Sequence, residues 1–403
     1  MISRFMETHR RLLENTRHRH HRYIFHTFNT KNRLTGLIGP RGTGKTTLLL
    51  QYINEKMDPQ TPCIYVSMDH LYFSSNLLSD FVDDLYEDYG TRFFFLDEIH
   101  KYPDWNQELK NIYDAYPDIN IIFSGSSSMD LIKGTHDLSR RGVIFRMNGM
   151  SFREYLLFNN ITDIEPVSFS QILENKEQVQ SNLGRITRLK GYFRQYMGCG
   201  YYPYFLEDAT TYHQKTLRVI EKTIYEDIAN FYRLKTENLS SFKRILAYLA
   251  TTPPGELNTN SIARHIGLDN KTIQNYLEML QETGMVEQIS KSRAGSSLLK
   301  HTEKVFLDNP DLYQAIISEI GYQANTGTLR EIFFIKMLKN AGLKVYYSPA
   351  GDFEVNGIVF EIGGRSKTGK QIKHLQNQAF LVKDDILYGS RREIPLYLFG
   401  FLY

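Results

Sequence analysis

The sequence predicts an α/β protein. A three-layer N-terminal domain with a parallel sheet comes first, then a mainly helical stretch, then a small α+β domain. Three observations carry the prediction. Between residues 34 and 150 short apolar runs alternate with helical patterns, and strands separated by helices imply parallel crossovers. A glycine-rich turn, Gly39–Thr46, stands between the first such strand and the first helix. Four apolar residues, Phe93–Leu96, run directly into Asp97 and Glu98, the pattern of a strand buried on both faces.

The length of 403 residues suggests two to four domains at roughly 100–200 residues each. Apolar residues are 41% and charged residues 23%, ordinary globular usage that argues against a long disordered chain. Lys and Arg total 48 against 45 Asp and Glu, a net charge of +3, too balanced to announce a nucleic-acid protein by itself. Cys63 and Cys199 alone make neither a disulfide framework nor a zinc ribbon, and a reducing, cytoplasmic setting is expected. No apolar run is long enough to span a bilayer, no secretory signal is expected at the N-terminus, and no membrane partner is expected.

Residues 1–33 form a basic, histidine-rich helical segment, expected to be a solvated helix with Ile24, Phe25 and Phe28 turned inward. The α/β domain follows over 34–150. Its expected strands are Leu34–Ile38, Cys63–Val66, Phe93–Leu96 and Asn120–Ser124. A helix is expected over Thr46–Lys56, and Trp105, Leu109, Ile112 and Tyr116 share one face of another. Residues 151–250 read as helical, with segments such as Phe152–Phe158 and Lys243–Leu249. The breaker Thr251–Gly255 (T-T-P-P-G) marks a boundary. Residues 251–305 hold two short helices and a β-ribbon. Residues 306–403 hold a helix at Leu329–Ala341 and strands near Val345–Tyr347, Gly357–Ile362 and Leu396–Phe399.

The turn Gly39, Pro40, Arg41, Gly42, Thr43, Gly44, Lys45, Thr46, followed by Thr47, matches G-x-x-x-x-G-K-[ST] in full. Glycines let backbone N–H groups face phosphate oxygens, and the helix that follows aims its positive end at the same place. Lys45 would reach the β- and γ-phosphates, and the Thr46 hydroxyl would ligate Mg²⁺. Asp97 would hold the same Mg²⁺, and Glu98 would polarise the attacking water. A small hydroxyl after the next strand, Ser124 or Ser126, is a candidate contact to the γ-phosphate or that water, or simply fills a tight turn. Arg140 and Arg141 are candidates for a charge-neutralising arginine, supplied to a neighbouring subunit of a homo-oligomer, or are a plain surface pair. ATP and Mg²⁺ are the expected cofactors.

On these residues the chain resembles the AAA ATPase superfamily. More narrowly, it resembles a prokaryotic family that joins a P-loop NTPase domain to a winged helix and a nuclease-like C-terminal domain. The matching stretches are G-P-R-G-T-G-K-T-T (39–47), L-D-E-I-H-K-Y-P-D-W (96–105), I-I-F-S-G-S-S-S (121–128), S-R-R-G-V-I-F-R-M-N-G-M-S-F-R-E-Y-L (139–156) and G-Y-Y-P-Y-F-L-E (200–207). The resemblance implies ATP binding and hydrolysis, with Gly39, Gly44, Lys45, Thr46 and Thr47 in the nucleotide loop and Asp97 and Glu98 at the metal and water positions. It brings no cellular role with it.

Residues 257–289 read as a helix-turn-helix, with Gly267 ending the first helix and Asp269 or Asn270 capping the second. A strand at Met285–Ser290 and a basic hairpin tip with Lys291, Arg293 and Lys300 would supply a wing. The outward face, Lys271, Thr272, Gln274, Asn275 and Glu278, suits DNA or a protein partner. In the C-terminal domain, a helix with Glu331, an acid on one strand within Gly351-Asp352-Phe353-Glu354-Val355 and Glu361 on the next strand resemble the PD-(D/E)xK nuclease core. Gly363 stands where that pattern has its lysine, leaving Arg365 or Lys367 as substitutes, which favours a degenerate, structural or binding version over an active nuclease. The expected function is a Mg²⁺-dependent ATPase that works as a conformational switch or motor, with DNA as a candidate substrate. The alternatives are a nucleotide-sensing scaffold and a DNA-processing protein with a degenerate nuclease domain.

Overall fold

The computed structural model describes residues 1–16, 19–125, 141–174, 176–254, 259–291, 303–375 and 378–403. The chain divides into two compact units, Met1–Gly149 and Met150–Tyr403. Among the described residues no helix is long and apolar enough to cross a membrane.

The first unit is built on five parallel strands, β1 (Leu34–Ile38), β2 (Cys63–Ser67), β3 (Phe93–Asp97), β4 (Asn120–Gly125) and β5 (Gly142–Arg146), in the order β2-β3-β4-β1-β5. The central strands read as unbroken apolar runs because helices cover both faces. On one face Ile64, Val66, Phe94, Leu96, Ile121 and Phe123 pack against α3 (Leu78–Tyr89) and α4 (Trp105–Ala115). On the other, Leu37, Tyr65, Phe95 and Ile122 pack against α2 (Lys45–Lys56) together with Ile24, Phe25 and Phe28. Alternate residues of each strand serve opposite clusters, as the two-residue period of a strand requires.

The N-terminal helix α1 (Ile2–Asn15) is more than the solvated segment expected of it. Its Phe5 and His9 are buried. Phe5 belongs to one core cluster, and Leu12 and Leu13 lie against the other. The helix is therefore amphipathic along β2, an edge strand whose outward amides need partners. Strand β5, short and half-exposed, carries no alternation that would announce it in sequence.

The second unit starts with α5 (Phe152–Phe158), whose first turn carries a capping box between Ser151 and Glu154. Helices α6 (Phe169–Glu174), α7 (Lys176–Leu183), α8 (Leu189–Cys199), α9 (Tyr212–Lys222), α10 (Ala229–Tyr232) and α11 (Thr236–Thr251) follow. Next come α12 (Thr259–Ile266), α13 (Asn270–Glu282) and an antiparallel ribbon of β6 (Val286–Ser290) and β7 (Glu303–Leu307). Then α14 (Pro310–Glu319) and α15 (Thr326–Asn340) lead into a mixed sheet. Its strands are β8 (Tyr346–Tyr347), β9 (Phe353–Val355), β10 (Ile358–Gly363), β11 (Ala379–Lys383) and β12 (Glu393–Pro395), in the order β12-β11-β10-β9-β8. Phe334 of α15 packs on Phe353, Phe360 and Phe399.

The strand expected at Leu396–Phe399 is not one. Residues Leu396–Phe401 form a buried 3₁₀ turn, and the strand stops at Pro395. A short apolar run reads alike as a buried strand or a buried turn, and a proline gives no ladder donor. The last residues interlock with α5: Ser151 Oγ and Arg153 Nε each donate to the Tyr403 carbonyl oxygen at 2.9 Å. Three charges join the ribbon region to α15, with Lys336 donating to Asp308 at 2.5 Å and to Glu287 at 3.3 Å.

Candidate functional site

The loop between β1 and α2 is shaped by its glycines. Gly44 lies at φ 94°, in the left-handed region, as the residue before the first turn of α2. Any side chain at Gly39 would collide with the carbonyl oxygen of Met147, the residue that follows β5. The Thr43 hydroxyl donates back to the Pro40 carbonyl oxygen at 2.9 Å. The Lys45 ammonium is 4% exposed and lies inside the turn, donating to the carbonyl oxygens of Gly39 at 2.8 Å and Pro40 at 3.0 Å.

Beneath the loop sits Arg22, a residue that sequence reasoning did not single out. Its guanidinium is buried and donates to the Thr43 carbonyl oxygen and, at 2.7 Å, to that of Asn148. It thus ties the loop to the segment after β5. Its only sequence signal is membership of a basic run.

The acidic end of β3 faces the same helix start. Asp97 Oδ2 accepts from the Thr46 hydroxyl at 2.6 Å and from the Tyr65 hydroxyl at 2.6 Å. Its Oδ1 accepts from Ser124. Asp97 is 3% exposed, so three hydroxyl donors replace the water it has lost. Burial first, and then the Asp97 charge, drive the Tyr65 phenol far above its usual range, and its proton stays on. Strand β3 ends where Glu98 turns into the left-handed region at φ 55°, strain of about 1–2 kcal/mol for a non-glycine residue. The Glu98 amide donates to Ser124 Oγ at 3.1 Å, and its carboxylate lies 3.3 Å from His100 Nε2.

The structure therefore brings together Gly39–Thr47, Asp97, Glu98 and Ser124. Ser124 braces the two acids instead of facing outward. A hydroxyl and a carboxylate side by side at a helix start are the hard oxygen donors that Mg²⁺ takes, and the turned loop with an enclosed lysine fits a polyphosphate. Arg141 is elsewhere. Gly142 pairs with Leu34 at the start of β1, while the loop follows Ile38 at its end, so the strand itself separates them by roughly 16 Å. Arg141 pairs with Asp114 at 3.3 Å. Ser126 and Arg140 lie outside the described residues.

In the second unit, Asp269 caps α13, accepting from the Thr272 amide at 3.0 Å. Lys271, Gln274, Asn275 and Glu278 are exposed on that helix. Lys291 lies over the Tyr347 ring, 5.4 Å from its centroid, and Arg293 and Lys300 fall outside the described residues.

Glu361 on β10 is 2% exposed, and Lys367 Nζ stands 3.2 Å from its Oε1. Its Oε2 has no hydrogen-bond partner among the described residues. Glu331 is pushed up to about 7, by burial and then by the charge of Asp352. Among the described residues no three His, Cys, Asp or Glu side chains converge on a metal position.

Comparison with known proteins locates two families. Residues 31–156 match the model of an AAA domain. Residues 190–320 match DUF8612, a domain of unknown function. No curated protein matches the chain. Among solved structures it is similar to the replication initiator DnaA bound to AMPPCP and single-stranded DNA, at 19% identity, covering 68% of this chain and 86% of that one with a TM-score of 0.27. AMPPCP-bound DnaA from Aquifex aeolicus gives 16%, 68%, 86% and 0.26. PCH-2 of C. elegans gives 21%, 44%, 47% and 0.24. Similarity at this level carries no functional weight. The loop, the acidic strand end and the domain match agree on a P-loop fold of the AAA type for residues 31–156.

Proposed function

We propose that the first unit binds Mg²⁺ and ATP at Gly39–Thr47 and hydrolyses the γ-phosphate, and that the cycle works as a conformational switch or motor. The observation that carries this is the Thr46 hydroxyl at 2.6 Å from the Asp97 carboxylate, directly before Glu98. Mg²⁺, when bound, neutralises charge on the β- and γ-phosphates. The chain's own residues do the rest. Backbone amides of the loop take phosphate oxygens. Lys45 exchanges two carbonyl oxygens for phosphate. Thr46 and Asp97 hold the metal side, and Glu98 orients the water and draws its proton. Arg141, at the far end of β5, would serve only a neighbouring copy in a homo-oligomer.

The helix pair α12–α13 with the ribbon β6–β7 supports a winged-helix reading, which leaves DNA and a protein partner as the two candidates for what the cycle acts on. ATP hydrolysis measured with and without DNA, alongside mass by light scattering with and without ATP, tests this. Stimulation by DNA supports a DNA-directed motor. A rate that DNA leaves unchanged, with slow turnover and an ATP-dependent mass, favours the nucleotide-sensing scaffold.

A second reading rests on Lys367. It reaches Glu361 although the pattern's own position, Gly363, is vacated. This keeps metal-dependent phosphodiester hydrolysis by the C-terminal sheet as a reading to be tested beside a degenerate, structural or binding role. Mg²⁺-dependent plasmid nicking that disappears in Glu361→Ala supports it, and absence of nicking by the wild type removes it.

A further inference from the structure

Asp97 takes hydrogen bonds from three hydroxyls that come from three places. Thr46 belongs to the loop and Ser124 to the neighbouring strand β4. Tyr65 comes from the edge strand β2, three strands from the loop's own β1, with β3 and β4 between. Its phenol shares Oδ2 with Thr46, each at 2.6 Å. A threonine that lends its oxygen to a cation can still donate its proton to the carboxylate. Tyr65 has no such second duty. The residue is 5% exposed, and its hydroxyl donates to Asp97.

The backbone of Tyr65 is also held. On an edge strand the outward amide needs a partner from outside the sheet. The Tyr65 amide donates to His9 Nδ1 of α1 at 3.0 Å. His9 is buried between Phe5 and Leu12, which pack on opposite clusters. A chain of two hydrogen bonds therefore runs from α1 through Tyr65 to the metal-side carboxylate.

We infer that Tyr65 is a positioning residue for Asp97, and that α1 sets it through His9. This rests on the reading of Asp97 as the metal-side acid of a Mg·ATP site. A carboxylate held at both oxygens presents its remaining lone pairs in one direction, and loss of Tyr65 leaves Oδ2 with only Thr46, the donor that would also ligate the metal, so the carboxylate is held less tightly. The defect then appears in the metal requirement, since Tyr65 touches neither phosphate nor water.

The test is Tyr65→Phe, which keeps the buried ring. The Mg²⁺ concentration giving half-maximal ATP hydrolysis should rise about tenfold, the scale of one hydrogen bond to a charged group, with kcat at saturating Mg²⁺ within about threefold of wild type. A fluorescent ATP analogue should show the same Mg²⁺ shift in binding and unchanged affinity when Mg²⁺ is chelated. His9→Ala should move the Mg²⁺ requirement the same way by a smaller factor. A wild-type Mg²⁺ requirement in Tyr65→Phe, with or without a fall in kcat, overturns the positioning role. A shift in Tyr65→Phe with none in His9→Ala overturns the part assigned to α1. If wild type and Asp97→Asn bind the analogue equally with and without Mg²⁺, the metal-site reading itself fails and the inference falls with it. That result differs from the other two.

Discussion

Lys367 reaches Glu361 across the bare α-carbon of Gly363. A side chain at 363 would start 2.5 Å from Lys367 Cγ, and the ammonium ends 3.2 Å from Glu361 Oε1. Glycine at 363 and lysine at 367 are thus two halves of one arrangement. The cation comes from the following turn, and the strand leaves room for its stem. Glu361 is buried and Lys367 is 38% exposed, so the lysine brings a charge that is still partly hydrated. Removing it leaves a buried carboxylate without its cation.

Lys367→Met should therefore lower stability by about 2 kcal/mol, less than the loss for a fully buried pair. Glu361→Gln should cost less, because no buried charge remains. The double substitution should cost less than the sum of the two, a coupling of about 1 kcal/mol or more. Urea denaturation of the four proteins measures it. Additive losses would show that the two groups do not support each other.

At the nucleotide loop, Lys45 is enclosed by the Gly39 and Pro40 carbonyl oxygens, and Glu98 stands beyond the strand end. The two substitutions should separate binding from chemistry. Lys45→Ala should weaken ATP binding at least tenfold. Glu98→Gln should bind ATP within about threefold of wild type and turn over about 10²–10⁴ times more slowly, the range for loss of a general base. Equilibrium binding and single-turnover hydrolysis read these separately. Wild-type turnover in Glu98→Gln would remove Glu98 from the proposed role.

How much of this could be read beforehand follows from chain distance. Gly39–Thr47 and Asp97–Glu98 are each contiguous, and local spacing carries their chemistry. Ser124 was visible as a hydroxyl at a strand end, though its turn inward to Asp97 was not. Arg22, Tyr65 and His9 had no local signal. Arg22 lies 21 residues from Thr43, and His9 lies 56 from Tyr65, so only the folded sheet brings them together. The helical character of residues 1–16 was legible, but its burial was not, since Arg and His among the apolar positions read as a solvated face. Leu396–Phe399 misread as a strand because its apolar run has no period. In the C-terminal sheet, the expected lysine spacing assumes a side chain rising from the strand itself, and a long lysine from the next turn meets the same need.

Arg22 makes a sharper claim about the loop. Its guanidinium satisfies the Thr43 and Asn148 carbonyl oxygens, so loss of the side chain strands one buried and one part-buried acceptor. Arg22→Met should cost about 2 kcal/mol of stability, one to two unsatisfied buried groups. It should also raise the KM for ATP about tenfold, since the Thr43 peptide is no longer fixed, with kcat changed less. Arg22→Lys, a single donor without the planar fork, should recover only part of either effect. A KM unchanged in Arg22→Met, despite lost stability, would restrict Arg22 to holding the fold.

His9 predicts a pH dependence with a definite sign. Its Nδ1 accepts the Tyr65 amide at 3.0 Å, so the ring must be unprotonated there. Burial lowers its pKa from the ordinary 6.5. The unfolded chain then binds a proton at a higher pH than the folded one does. The contribution is fully present above about pH 6.5 and is lost as pH falls from there through the depressed folded value. Wild type should lose stability between pH 7.5 and pH 5, and His9→Asn, which has no group titrating in that window, should lose less. Urea denaturation at the two pH values checks this. Equal losses in both proteins would show that His9 is not the titrating group. If the loss in wild type is accompanied by a higher Mg²⁺ requirement for ATP binding at pH 5, and His9→Asn shows no such rise, the same proton is acting at Asp97 through Tyr65.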